Sequence, residues 1–579
     1  MRYHVLASDY DGTLAHHGKV DAETIAGIKR LLASGRRLVL VTGRELPELQ
    51  EIFPELDLCD WVVAENGGLL YRPSTRESKP LADAPPERFV NLLRSRGVAP
   101  MSVGRTIVAT WEPHQTTVLE TIHELGLELQ VIFNKGAVMV LPAGVNKASG
   151  LKAALKEMGL SPHNAVGIGD AENDHALLKF CELSVAVENA LPSLKETADL
   201  VTPSDHGRGV VELIDHMVGN DLADFDPELE RHHLGLGRSG EEEIKISPYG
   251  RSVLICGPSA SGKSTVATRL VEAMLEQKYQ FCLIDPEGDY SSFEGAMVLG
   301  GAKSPPLQEE VLRLLENPSA NAVVCMTGMP ISDRPAFFLS LFAELLELRS
   351  RTGRPHWLVF DEAHHLMPAE WRMPDGIMPE DLRNVVLITV HPEMLAKPLL
   401  ERVTTVLAIG EAAPETLQKF ASAVDQPGPD LEGLRPVSGE LLLWRRDRPG
   451  RPSLVRPHPS KSTRLRHRRK YAQGELPPDR SFYFRGPENK MKLRAQNLIL
   501  FLQIADGIDD DTWTWHLSQG DVSQWFRDCI KDDNLAAEAK RIEQLTNVTP
   551  QETRELIRAA VERDYTLPAS SPLPVPGAS

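Results

Sequence analysis

The sequence predicts an α/β protein in three successive parts: a parallel-sheet domain with an inserted α+β cap, a second α/β domain, and a mainly helical C-terminal accessory domain. Three observations predict it. Short apolar runs alternate with helical patterns from residue 1 to about 215 and again from about 244 to 455, the rhythm of parallel strands covered by helices. Two of those runs end in loops rich in acidic residues or glycine. Asp9-Tyr10-Asp11-Gly12-Thr13-Leu14 follows the opening run, and Gly257-Pro258-Ser259-Ala260-Ser261-Gly262-Lys263-Ser264-Thr265 follows Val253-Leu254-Ile255-Cys256. Beyond residue 475 the spacing becomes helical, as in Leu493, Asn497, Leu500, Phe501 and Ile504.

At 579 residues the chain is too long for one core; at ~150 residues per domain, three or four domains are expected. A net charge of −18 argues against nonspecific nucleic-acid binding by the whole surface. Six cysteines are scattered without metal-ligand spacing and read as buried free thiols. The opening residues enter a strand directly, leaving no room for a signal peptide, and no apolar run approaches the ~18 residues that span a membrane. These features predict a cytoplasmic protein with no membrane partner.

In the first domain, Asp9 and Asp11 lie two apart and share a face of a strand, and Gly12 permits a sharp exit from it. Phosphoryl transfer to a carboxylate needs this arrangement: one aspartate attacks phosphorus while the other handles the leaving-group and water protons. Attack by an anion on an anionic phosphate also needs positive charge, from magnesium and a lysine. Thr42-Gly43-Arg44 ends a second buried strand, Lys147 begins a helix after Asn146, and Gly169-Asp170-Ala171-Glu172-Asn173-Asp174 closes a further strand with oxygen ligands suited to a hard cation.

This order of elements resembles the haloacid dehalogenase (HAD) phosphatase superfamily, whose core is Rossmann-like. Glu65-Asn66-Gly67-Gly68, the Asp170–Asp174 loop, Ala186-Val187-Glu188-Asn189-Ala190 and Ala198-Asp199 point to its subclass IIB, the Cof-like and sucrose-phosphatase-like branch. The resemblance covers residues 1–215. It implies that Asp9 is the nucleophile and Asp11 the acid/base, that Thr42, Gly43 and Lys147 hold the phosphoryl group, and that Asn173 orients the cluster. Magnesium would be held by Asp9, Asp170 and Asp174 with the backbone carbonyl of Asp11. A short cap at about 75–140 would close over a phosphomonoester substrate. The polar, acidic stretch 216–243 reads as a linker.

The glycine-rich loop at 257–265 satisfies the P-loop pattern between a strand and a helix. Its backbone amides would face phosphates, Lys263 would reach the β- and γ-phosphates, and Ser264 would ligate magnesium. A later apolar run ends in Asp361-Glu362, one carboxylate for magnesium and one to polarise water. With Asp285-Pro286-Glu287-Gly288-Asp289-Tyr290 and Asp361-Glu362-Ala363-His364, residues 244–455 resemble the HerA/FtsK superfamily of ATPases, commonly hexameric motors. Where that family often ends a strand in a glutamine sensor, this chain has His391. The place of a HerA-type barrel is taken by the first domain. The competing resemblance is to polynucleotide kinase-phosphatase, which would make the substrate a nucleic-acid end. An ATP-gated regulatory assembly is a third reading.

Residues 445–470 are strongly basic, through Arg445, Arg446, Arg448, Arg451, Arg456, Lys461, Arg464, Arg466, Arg468, Arg469 and Lys470, and 456–474 reads as a basic linker. DNA contact, an arginine finger in a homo-oligomeric ring, and a solvated linker all stay open. In 475–566, Trp513, Trp515, Trp525 and Phe526 read mainly as helical packing and His516 as a hydrogen-bonded core histidine. The Pro- and Ser-rich end, 567–579, reads as a disordered tail.

Overall fold

The computed structural model describes residues 1–258, 261–301, 303–369, 382–448, 450–461, 471, 476, 478, 480–530, 532–546 and 548–565. The chain forms two compact units, residues 1–291 with 295–458, and 292–294 with 459–579.

The first unit begins with an eight-stranded sheet in the order Leu200–Val201, Leu183–Ala186, Ala165–Gly169, Val5–Ser8, Arg37–Val41, Trp61–Ala64, Leu69–Arg72, Glu77–Pro80. The first six strands run parallel, and the last two form an antiparallel hairpin added beside the sixth. Side chains alternate between two cores. Leu6, Leu38, Leu40 and Ile168 face the helices Ala22–Ala33 and His206–Asn220, while Val5, Ala7, Val39 and Val41 face Lys147–Glu157. Burial on both faces is why these strands read as continuous apolar runs. Between Pro80 and Lys147 lies the cap, a four-stranded antiparallel sheet in the order Met101–Val103, Val108–Trp111, Ala137–Pro142, Leu129–Asn134, with helices Glu87–Ser95 and Gln115–Glu124.

The second sheet has eleven strands: Glu242–Ile246, Leu234–Ser239, Ser453–Pro457, Leu441–Arg445, Thr405–Ile409, Ser252–Cys256, Val385–Thr389, Trp357–Phe360, Phe281–Asp285, Ala322–Cys325, Met297–Leu299. The last seven are parallel and the first four add antiparallel at one side.

The stretch expected to be a linker, 216–243, is structured. Helix His206–Asn220 runs into it, and the hairpin Leu234–Ser239/Glu242–Ile246 extends the second sheet. The acidic run misled because Glu242, Glu243 and Lys245 point to solvent while Ile244 and Ile246 point inward. Likewise the basic stretch opens inside two strands, Leu441–Arg445 and Ser453–Pro457. Arg446 donates to the carbonyls of Leu400, Glu401 and Val403, Arg451 pairs with Asp430 at 2.8 Å and Arg456 with Glu440 at 3.2 Å. Arg446 thereby ties its strand to the fold, while Arg451 and Arg456 make exposed ion pairs; 462–470 and the tail lie outside the described residues.

A buried polar seam joins the two sheets within this unit. Arg354 donates to the Gly159 carbonyl at 2.5 Å, Ser161 Oγ lies 2.9 Å from His356 Nε2, and Tyr249 and Tyr279 donate to one oxygen of Glu182 at 2.7 and 2.8 Å. His4 lies at the same seam, 5% exposed, with Nε2 unpartnered and close to Gly353. Burial lowers its pKa to about 4. Between about pH 6.5 and 4 the unfolded chain binds a proton that the folded chain refuses, so this contribution is complete above pH 6.5 and lost as the pH falls. The denaturation midpoint of His4→Gln should lose part of that acid dependence, worth roughly 3 kcal/mol across the window.

The second unit carries helices Leu498–Gly507, Asp510–Gln519, Asp533–Glu543 and Pro550–Tyr565 and a small sheet, Phe482–Phe484 with Leu493–Ala495. Its core gathers Phe501, Trp513, Trp525 and Phe526, with the indole N–H groups of Trp513 and Trp525 bonded to Thr553 and the Arg480 carbonyl. His516 is a satisfied core histidine: Nδ1 lies 2.7 Å from Asp521 and Nε2 accepts the Arg485 amide. The six cysteines are free, five of them buried. Among the described residues no helix is long and apolar enough to cross a membrane.

Candidate functional site

Register brings the first site together. Ser8 pairs with Leu40 on one side and Ile168 on the other, so Asp9 leaves the central strand between Thr42 and Asp170, at the carboxyl edge where open α/β sheets place their ligands. Lys147 starts its helix behind the Asn146 N-cap, whose side chain accepts the Ser149 amide. The Glu65–Gly67 turn sets that helix in place. Gly67 (φ +106°) packs so closely that a Cβ there would lie 1.9 Å from the Asn146 carbonyl oxygen, and Asn66 accepts from Asn173 at 3.1 Å. Buried Lys147 donates to Asp9 and, at 2.6 Å, to Asp174.

Asp9, Asp170 and Asp174 are buried, with ligand oxygens within 4.8 Å of one another. Burial raises the pKa of Asp9, the Asp174 charge adds to it, and Lys147 opposes both; burial also raises Asp170, against Lys135. Three crowded carboxylates with an all-oxygen donor set fit magnesium. Asp174 is anchored by the amides of Asp170 and Ala171, at 3.1 and 3.0 Å.

Two features differ from the sequence reading. Asp11 does not turn its carboxylate to the acidic cluster; Arg44 grips it with two hydrogen bonds, 2.6 and 2.7 Å, and it stays part-exposed. A planar guanidinium matched to a carboxylate explains that preference, and only the Asp11 backbone carbonyl remains for a metal role. Second, the cap supplies a residue that sequence reasoning missed. Lys135, at the turn between Leu129–Asn134 and Ala137–Pro142, donates to Asp170 at 2.5 Å. Gly12 (φ +85°) leaves the room: a Cβ would meet Asp170 at 2.3 Å and Lys135 Nζ at 2.7 Å. Asn134-Lys135-Gly136 reads as a hairpin turn, and nothing local says where it points. Thr42 is buried and accepts the Arg44 amide, and Gly43 faces Asn173 and Met139 of the cap.

The model of the haloacid dehalogenase-like hydrolases matches residues 6–105 and 112–214. Phosphoglycolate phosphatase 2 of Saccharolobus solfataricus is 30% identical over 223 residues, 38% of this chain and 94% of its own length. The chain belongs to the haloacid dehalogenase-like hydrolases. A phosphoglycolate phosphatase of Methanothermobacter thermautotrophicus is 29% identical over 37% of this chain and 98% of its own. A haloacid dehalogenase-like hydrolase structure from Bacteroides thetaiotaomicron aligns over 37% of this chain and 99% of its own, at 20% identity and a TM-score of 0.33. The HAD domain is a hydrolase domain of the phosphatase type, with its cap inserted between the Thr42 and Lys147 elements.

Outside the HAD domain, a second cluster forms at the edge of the eleven-stranded sheet. Gly257 leaves strand Ser252–Cys256, and Gly262 precedes helix Lys263–Glu276, whose first turn holds Ser264 and Thr265. Ser259 and Ala260 lie outside the described residues. Lys263 Nζ donates to the Pro258 carbonyl at 3.0 Å; burial lowers its pKa, against the nearby charges of Glu362 and Asp361. Asp361 is buried, and burial, Asp285, Asp289 and Glu362 hold its pKa well above the usual carboxylate range. Asp285 itself accepts three amides, from Gly288, Asp289 and Tyr290, and so builds its turn. Glu362 is left-handed (φ 41°) and part-buried, with Oε2 3.4 Å from His364 Nδ1. His391 is half exposed, with Nδ1 3.4 Å from Glu393; it is Thr389 that bonds to His364, at 3.0 Å.

Proposed function

We propose that the HAD domain hydrolyses a small acidic phosphomonoester of the phosphoglycolate class through a phosphoaspartate on Asp9. The carrying observation is Lys135, a cap ammonium 2.5 Å from Asp170 and directly over the cluster. A half-exposed ammonium beside the cluster suits a substrate whose short tail ends in a carboxylate; the names of the relatives support the same class. An Asp9 oxygen attacks phosphorus as the ester P–O bond breaks, and Asp11, released from Arg44, protonates the departing alkoxide. Asp11 then takes a proton from water, whose oxygen attacks phosphorus and frees Asp9 and inorganic phosphate. Lys147, the Thr42 hydroxyl and the Gly43 amide hold the phosphoryl oxygens, and Asn173 orients the acidic loop. Asp9, Asp170, Asp174 and the Asp11 carbonyl would hold magnesium, which would supply neutralising charge. Lys135→Ala should raise KM for 2-phosphoglycolate roughly tenfold to hundredfold, with a smaller change for p-nitrophenyl phosphate. Equal losses on the two esters would remove the acidic-substrate reading.

For the second cluster the reading is a nucleoside-triphosphate site of the ATPase kind, with Gly257, Pro258, Ser261, Gly262, Lys263 and Thr265 around the phosphates and Ser264 and Asp361 toward magnesium. What supports hydrolysis over transfer to a polynucleotide end is Glu362, a part-buried carboxylate beside Asp361 whose Oε2 lies 3.4 Å from His364 Nδ1. Strand Val385–Thr389 also lies between the glycine-loop strand and the acidic strand, the placement a sensor needs. Following the γ-phosphate of ATP in Asp9→Asn protein with 5′-hydroxyl DNA separates the two. Free phosphate supports the ATPase, and label on DNA supports the kinase.

A further inference from the structure

Three further metal-ligating side chains converge away from both clusters. His163 and Glu182 come from the HAD domain and His232 from the segment that follows it; their ligand atoms lie within 4.8 Å of one another. His163 Nε2 donates to the Gln277 carbonyl at 2.9 Å, an oxygen that only accepts, so Nε2 carries a hydrogen. The other ring nitrogen, Nδ1, sits against Glu182 Oε2. The second Glu182 oxygen is already taken by the hydroxyls of Tyr249 and Tyr279. A nitrogen lone pair and a carboxylate lone pair cannot face each other without a cation between them.

A proton there would satisfy His163 and Glu182 only. It would leave His232 Nε2, 3.7 Å from the same Oε2, buried and without a hydrogen-bond partner. A metal ion satisfies all three. We propose that His163 Nδ1, Glu182 Oε2 and His232 Nε2 bind a borderline divalent cation of the zinc class. Two imidazoles and a carboxylate are a donor set zinc accepts, with a fourth position for water. The outer contacts are those such a centre needs: a backbone carbonyl on the far nitrogen of His163 and two tyrosines on the far oxygen of Glu182. Ligand atoms around tetrahedral zinc stand roughly 3.3 Å apart, so the His232–Glu182 spacing of 3.7 Å is close to it, and the His163–Glu182 contact, shorter than an ordinary hydrogen bond, has to open to admit the ion. His163 and Glu182 also line a cavity of about 540 Å³, which gives the ion a way in.

The test is a zinc titration of the full chain against a chromophoric chelator, with excess magnesium to occupy the acidic cluster, repeated with cobalt to read ligand-field absorption. Wild type should bind one equivalent, with cobalt bands of low coordination number. His232→Ala, at the less buried edge of the site, should bind at least roughly tenfold more weakly and lose those bands; Glu182→Gln should do the same. Zinc should raise the melting temperature of wild type and not of His232→Ala, which separates ligand loss from misfolding. Equal affinity in wild type and His232→Ala, or no zinc bound by wild type, would overturn the proposal and leave a protonated His163–Glu182 pair.

Discussion

Asp9→Asn is expected to lose phosphatase turnover by at least about 10⁴-fold, the scale on which removing a covalent nucleophile acts, while folding as well as wild type or better. The two halves have one cause. Burial and the Asp174 charge raise the pKa of Asp9, so at neutral pH the folded state holds a carboxylate that it would rather protonate. For a carboxylate raised on folding, that cost grows as the pH climbs above the unfolded value. Asparagine removes the charge and the cost together, and Lys147 keeps Asp174 as its partner. Turnover of 2-phosphoglycolate and the melting temperature at pH 7 without magnesium check both halves. A variant that turns over at near the wild-type rate would refute the nucleophile assignment.

Glu362→Gln is expected to cut ATP hydrolysis by about 10²- to 10⁴-fold, the usual worth of a general base, and to leave nucleotide affinity intact or tighter. Burial and the Glu287 charge raise the pKa of Glu362 against the pull of Lys263. Hydrolysis should therefore fall with acid at a higher pH than an ordinary glutamate would produce, because the base must be deprotonated. Lys263→Ala should behave differently, losing nucleotide binding itself. Fluorescent-nucleotide titration beside phosphate release distinguishes them: if Glu362→Gln still released phosphate at the wild-type rate, Glu362 would not be the base.

The parallel core and its acidic cluster were legible because each part is local. Asp9, Thr42, Lys147 and Asp170 each end or begin an element that its own neighbours specify, and sheet register does the rest. Lys135 was not legible, since its contact with Asp170 depends on how the cap hairpin sits over the core. Arg44 was noticed only as the end of its motif, because its preference for Asp11 is settled in space. The stretch 216–243 was misread through composition: one-faced strands at a sheet edge carry as much charge as a loop. His163, Glu182 and His232 had no spacing to betray them.

The seam between the two sheets also determines what happens when the chain is cut. Glu182 immediately precedes strand Leu183–Ala186 of the HAD core, yet both hydroxyls that satisfy its Oε1 come from beyond residue 248. A fragment ending at residue 220 would keep the acidic cluster but lose those donors together with Leu222, Leu229 and Tyr249, which pack into the core of the same sheet. Residues 1–291 and 295–458 should therefore melt in one calorimetric transition, and the excised HAD fragment should aggregate where the intact chain stays folded.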